Sequence, residues 1–229
     1  MRRYVFSLLK LYLDFIIVYT FVGLVSFFLG QAWNYAAGMG MPWFVEVLFS
    51  IGLVGLARVL GLSAGQWLLA PARRMADCEP RPRLWPNLVL GTFLILEGLK
   101  QMVRWTALDG VMPVFGLVET TPLKAALLLA MGALYVVAGA MILRFSLRAK
   151  LTTLVALAIS TASIIASWPV LNEAIALAQT ARRAAQGMPL REGEIETMQA
   201  MFPWITVGGL ALILVLLWFS RERERAAWQ

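Results

Sequence analysis

The sequence predicts an all-α fold: a polytopic membrane helix bundle of six transmembrane helices, with both termini cytoplasmic and a short external helical cap between spans five and six. Three observations predict it. Of the 229 residues, 60% are hydrophobic and the mean hydropathy is +0.75, more apolar surface than a soluble domain of this length can bury. The apolar residues fall into six stretches long enough to cross a hydrocarbon layer about 30 Å thick. Lys and Arg concentrate in alternate connections, as cytoplasmic loops do.

The expected spans are residues 5–30, 42–69, 85–105, 122–143, 151–171 and 203–219, in one membrane domain covering 1–229. Arg2 and Arg3 ahead of the first span look like the start of a signal peptide, but the apolar run is too long for one and no clear cleavage site follows. An uncleaved first helix is the expectation. Pro42, Pro86, Pro122 and Pro203 stand at span starts, where the missing N–H would be unsatisfied in any case.

Orientation follows from the basic residues. Arg2, Arg3, Arg73, Arg74, Arg81, Arg83, Arg144, Arg148, Lys150, Arg221, Arg223 and Arg225 fall on one side; Arg104, Lys124, Arg182, Arg183 and Arg191 fall on the other. The richer side is cytoplasmic by the positive-inside rule. Tryptophan gives an independent check: Trp33, Trp43, Trp105, Trp168 and Trp204 collect at the outer ends, Trp67, Trp85 and Trp218 at the inner ends, as two interfacial belts require. Residues 172–202, the longest excursion, read as the external helical cap. The stretch 172–186 sets Ile175, Leu177, Ala178 and Ala181 against Glu173, Gln179, Arg182 and Arg183; Gly187-Met188-Pro189 breaks it, and 192–201 reads as a second short helix.

Span three is organised around a conflict. It carries Glu97, Lys100, Gln101 and Arg104 at i, i+3, i+4 and i+7, hence on one helix face. A Lys or Arg at a span centre costs about 2.5–3.5 kcal/mol, and nine Leu, Ile, Phe and Val residues return roughly 3–5 kcal/mol together. The helix is marginal alone and needs neighbours that cover its stripe. Asp14, Glu46, Arg58, Glu97, Lys100 and Arg104 form a candidate intramembrane charge network. Intramembrane charges point to function by default; depth along the spans also permits structural pairing, Glu46 with Lys100 or Arg104 and Asp14 with Arg58.

Small residues mark the expected packing faces. Gly61 and Gly65 form a GxxxG in span two, Ala158, Ala162 and Ala166 repeat every fourth residue in span five, and Ser160, Ser163 and Ser167 lie on a neighbouring face. Gly132, Gly139, Gly208 and Gly209 add to the set. Such positions let backbones approach closely in lipid, here within the chain.

Composition excludes several classes. The chain has no histidine and one cysteine, Cys78, so His-ligated haem, His-based zinc and an internal disulfide are out. There is no Walker A, no Gly-rich nucleotide fingerprint, no Gly-x-Ser-x-Gly and no Cys-x-x-Cys. No cofactor, metal site or catalytic residue is expected. The net charge of +7 has a topological explanation and does not indicate nucleic acid. The excess of Arg over Lys suggests a GC-rich bacterial genome, hence an inner-membrane protein. The expected partners are the lipid bilayer and other membrane subunits, the latter through 172–202. The expected role is non-enzymatic: an accessory or assembly subunit of a larger membrane complex, with a small transporter or channel as the alternative.

Overall fold

The computed structural model describes residues 3–17, 48, 52, 63–78, 84–104, 113–119, 121–185 and 189–222, with backbone alone at 103, 104, 182 and 185. The described residues are helical apart from short turns, in two compact units, Met1–Pro82 and Arg83–Gln229. Each unit is described by itself.

The first unit holds α1 (3–17) and α2 (Ala64–Cys78). No Gly or Pro interrupts 3–17, and Phe6 and Leu13, seven residues apart, form its buried stripe. On α2, Gly65, Leu68, Leu69, Ala72 and Ala76 are buried, while Trp67, Arg73, Arg74, Asp77 and Cys78 are exposed. Of the expected span at 42–69 only 48, 52 and 63–69 are among the described residues; this helix covers the end of that span and continues past it. It begins after Ser63, whose hydroxyl accepts from the Gln66 N–H at 3.3 Å, a standard N-cap. It then runs through Pro71 to Cys78. Hydropathy passed over this start because Ser63 interrupts an otherwise apolar run.

The second unit holds α3 (Trp85–Arg104), α4 (Pro122–Leu143), α5 (Ala149–Ala185) and α6 (Glu194–Phe219). Three of these, α4, α5 and α6, are long and apolar enough to cross a membrane. The stripe helix α3 is not among them, in keeping with its marginal balance. It lies instead against α4, glycine to glycine. A Cβ added at Gly98 would stand 2.6 Å from the Gly132 carbonyl oxygen, and one at Gly132 would stand 2.6 Å from that of Gly98. Two turns away, a Cβ at Gly139 would meet the Gly91 carbonyl oxygen at 2.6 Å, and one at Gly91 would meet the Leu143 side chain at the same distance. Glycines seven apart stay on one face, so the two backbones touch along two turns.

Each end of α4 has a local cause. Thr121 accepts from the Lys124 N–H at 3.2 Å and Pro122 takes the first turn. At the other end, the Ser146 N–H donates to the Met141 carbonyl at 3.0 Å and the Phe145 N–H to that of Ile142 at 3.2 Å, a Schellman pattern. Its left-handed position is usually glycine; here Phe145 adopts φ 54. That conformation costs about 1–2 kcal/mol. The ring is 1% exposed, and its burial returns about 1.5–3 kcal/mol.

The 144–148 turn, the start of α3 and the end of α6 meet at one end of the unit. Asn87 is fully buried there. Its amide donates to the carbonyls of Ile142 (3.1 Å) and Arg221 (2.9 Å), and its oxygen accepts from the Arg221 N–H (2.9 Å). The Glu222 carboxylate accepts from the Lys150 N–H at 3.0 Å, at the start of α5, where the helix dipole favours an anion. Trp85 and Trp218 therefore share this end. Trp168 lies 19 residues along α5 from Ala149, about 28 Å away. Leu90, Leu94, Tyr135, Ala138, Ile142, Ala149, Ala156, Leu216 and Leu217 form a core drawn from all four helices.

Within the expected cap at 172–202, residues 172–185 and 194–202 are helical, though as continuations of longer helices. α5 continues through Pro169 to Ala185, 37 residues or about 55 Å, and α6 begins at Glu194 and passes through Pro203. Pro203 thus sits inside a helix rather than at its start. α5 and α6 extend beyond their apolar parts as a helical hairpin.

Candidate functional site

The expected charge network is local where it is described. On α3, Lys100 lies 3.8 Å from Glu97, with side chains 61% and 27% exposed. Gln101 is buried, and its carbonyl oxygen has no hydrogen-bond partner among the described residues. The Thr92 hydroxyl on the same helix is likewise buried without one. Glu46, Arg58, Gly61 and the Arg104 side chain lie outside the described residues.

Asp14 caps a helix. Its carboxylate accepts from the Gly65 N–H at 2.7 Å, the Ser63 hydroxyl at 3.1 Å and the Lys10 ammonium at 3.0 Å. A carboxylate at a helix N-terminus meets unsatisfied N–H groups and the positive end of the dipole. Gly65 is needed for the approach: a Cβ there would lie 2.6 Å from the Lys10 carbonyl oxygen. Lys10, one turn before Asp14, is the partner that the sequence reading overlooked.

The alanines of span five do not face the bundle. Ala158, Ala162 and Ala166 are exposed, while Thr153, Ala156, Leu157, Ser163, Ser167 and Leu171 form the buried face of α5. The serine face carries the polar contacts. The Tyr135 hydroxyl donates to the Ser160 hydroxyl at 2.8 Å. Ser163 and Ser167 accept, each at 3.0 Å, from the N–H groups of Phe115 and Gly116.

Those two N–H groups belong to a tight turn. Val114 and Leu117 exchange backbone hydrogen bonds at 3.2 and 2.9 Å, with Phe115 at φ 47 and Gly116 at φ 78 between them. Two positive φ values define a type I′ turn, which prefers Asn-Gly; phenylalanine in the first position is strained, by about 1–3 kcal/mol. Val114 anchors the turn in a small core with Leu128 and Met131. Beside it the Lys124 ammonium donates to the Val118 carbonyl at 2.7 Å, and Lys124 is 1% exposed. The sequence reading counts this lysine on the outer side, at the start of the span 122–143; it is the most deeply buried cation among the described residues. It also sits in the first turn of α4, where the dipole opposes a positive charge.

The hairpin has its own polar clamp. The Glu194 carboxylate receives the Arg183 guanidinium at 2.7, 2.8 and 3.0 Å, the Arg191 N–H at 3.1 Å and the Gln179 amide. Glu194 stands two turns before the apolar run of α6. Arg183 holds its carboxyl down at about 2, below the ordinary 4.5. Gln199 reaches back to the Asn172 carbonyl at 2.8 Å.

No family model, curated protein or solved structure matches the chain. The residues carry the whole argument. Sequence reasoning missed Asn87, Lys124 and the Arg183–Glu194 clamp. A signal existed for the first two: an Asn three residues into an apolar run, and a Lys followed by nineteen residues without a charge.

Proposed function

We propose that this chain is a non-enzymatic integral membrane protein that works by association, as an accessory or assembly subunit of a larger membrane complex. It crosses a bacterial inner membrane six times with both termini cytoplasmic, and the 172–202 hairpin is its external docking element. The observation that carries this reading is the hairpin itself. Two spans are prolonged as continuous helices and locked by Arg183, Glu194 and Gln199. A linker between two spans needs no such construction. Leu177, Leu190, Met198 and Met201 are exposed along it, an apolar surface suited to a protein partner.

The described charges support the same side of the choice. Asp14 is engaged in capping and Glu97 has Lys100 on its own helix, so neither needs a transported ion. Purification in mild detergent tests the reading: foreign subunits at fixed stoichiometry are expected with the native chain and lost when Leu177 and Met198 are both changed to Asp. A homo-oligomer without partners, supporting ion flux in liposomes, would overturn it in favour of a transporter or channel. Reporter fusions test the topology, with activity expected to be cytoplasmic after Ala149 and external after Gly187. An external reading at Ala149 would break the six-span arrangement.

A further inference from the structure

We infer that the end of the second unit where α3 and α5 begin and α4 and α6 finish is a headgroup site for an acidic phospholipid, with Arg148 and Lys150 as its cations. Hydrogen bonds assemble that end from separate stretches of chain. Asn87 bonds to the backbone of Ile142 and Arg221, and Glu222 accepts from the Lys150 N–H at 3.0 Å. Arg144, Arg148, Lys150 and Arg221 are thereby gathered around one carboxylate among the described residues, Glu222. That carboxylate is engaged with the start of α5. Arg148 is exposed and Lys150 half-buried, and neither side chain has a carboxylate partner among the described residues.

The opposite end is built differently. There Lys124, Arg183 and Arg191 stand with Glu119, Glu173, Glu192, Glu194 and Glu196, and Glu194 holds Arg183. Excess acid at one end and excess base at the other leave an anion to be supplied only at the second. Four cations set close together repel one another, and a bound phosphate relieves the repulsion.

The surroundings say which anion. α4 and α6, which finish here, are long and apolar enough to cross a membrane, so these ends lie at headgroup depth. Trp85 and Trp218, 58% and 81% exposed, share the end with the cations, and exposed Trp marks the membrane–water interface. The anion met at that depth is a lipid phosphate. Basic clusters beside helix ends favour acidic lipids over zwitterionic ones, whose own ammonium cancels the phosphate charge. The inference rests on the membrane spans and not on the hairpin, so it stands or falls apart from the subunit reading.

Native mass spectrometry of the full chain in mild detergent, with phosphatidylglycerol or phosphatidylcholine titrated into the micelles, reads the binding. Each cation near a membrane surface is worth about fivefold in affinity for acidic lipid. The native chain should therefore retain phosphatidylglycerol roughly tenfold or more tightly than phosphatidylcholine. Arg148→Gln should lower that preference about fivefold, and Arg148→Gln with Lys150→Gln should bring the two lipids within about twofold of each other. Arg191→Gln removes an exposed cation from the opposite end and should leave the preference unchanged. Should the double variant fail to fold, the two single variants decide, since equal losses in Arg148→Gln and Arg191→Gln would mean net charge and no site. Equal retention of both lipids by the native chain would overturn the inference, as would a preference that survives the double substitution.

Discussion

Helices α3 and α6 lie in the same four-helix unit and make opposite use of glycine. α3 is the less apolar, carries the charged stripe, and is the better covered. Gly91 and Gly98 place its backbone against Gly139 and Gly132 of α4. α6 is among the most apolar helices, yet only 11% of its apolar window is buried. At Gly208 and Gly209 on it, nothing among the described residues lies within 4 Å of where a Cβ would stand. Adjacent glycines point about 100° apart on a helix and make no groove, whereas a spacing of seven repeats one face. Hydropathy ranks what lipid tolerates; packing follows the spacing of small residues. The helix that lipid tolerates least is the one held by backbone contact.

The largest test of this contrast is a pair of substitutions. Gly98→Leu puts a branched side chain where even a Cβ would lie 2.6 Å from a carbonyl oxygen. It should destabilise the folded chain by about 3 kcal/mol or more, at the upper end of overpacking effects. Gly208→Leu should change stability by less than about 0.5 kcal/mol, as at an open surface position. Thermal unfolding in one detergent measures both. Equal effects would mean that α6 is covered after all.

Asn87 comes next. It joins the start of α3 to the end of α4 and to the chain leaving α6 through three hydrogen bonds, and is thus one tie that α3 and α6 share. Asn87→Leu should cost about 1–3 kcal/mol by stranding backbone groups. The loss should appear as an earlier thermal transition, and limited proteolysis should begin after Phe219. Cleavage unchanged there would mean that the end of α6 is held without Asn87.

Much of this architecture is legible in the sequence, and the failures have causes. The expected span at 122–143 coincides with Pro122–Leu143 because Thr121 and Pro122 start the helix where the apolar run starts. The same reasoning misplaced the start of α6, since Pro203 is tolerated inside a helix that begins at Glu194. The stretch 172–186 reads as helical in the sequence, but its unbroken continuity with the apolar part of α5 through Pro169 does not, since proline there suggests an end. The packing faces were sought at a spacing of four, which selected the exposed Ala158, Ala162 and Ala166 and passed over Gly91 and Gly98. For the candidate site, Asp14 meets Lys10 and the start of α2; its expected partner Arg58 lies outside the described residues, as does Glu46.

The stripe itself should prove energetically quiet. An i, i+3 pair at 3.8 Å with one partner 61% exposed is worth at most about 0.5 kcal/mol. Glu97→Gln should therefore shift the unfolding midpoint little, far less than Gly98→Leu next to it in sequence. A loss of about 3–5 kcal/mol, as expected when one member of a buried pair is stranded, would show that Glu97 has a buried partner.

The smallest expected effect lies in the hairpin, which joins the well-packed end of α5 to the poorly covered α6. Glu194 is held at about 2 against an ordinary 4.5. A depressed carboxyl contributes stability that is complete above the unfolded value, about 4.5, and is lost as pH falls toward 2. Between pH 8 and pH 5 the hairpin should keep one geometry; below about 4.5 it should begin to loosen as Glu194 gains a proton and releases Arg183. Nitroxides at the exposed positions Ala184 and Glu196, with Cys78 changed to Ser, report this as a distance distribution that stays narrow and then broadens. Arg183→Gln removes the charge that holds this carboxyl down, so the distribution should already be broader at pH 8 and should change less as pH falls. The α3–α4 pair, labelled in the same way, should not respond over this range, since its contact is backbone against backbone and carries no proton. Broadening of the hairpin already at pH 6 would mean that the clamp is not what holds α6 to α5.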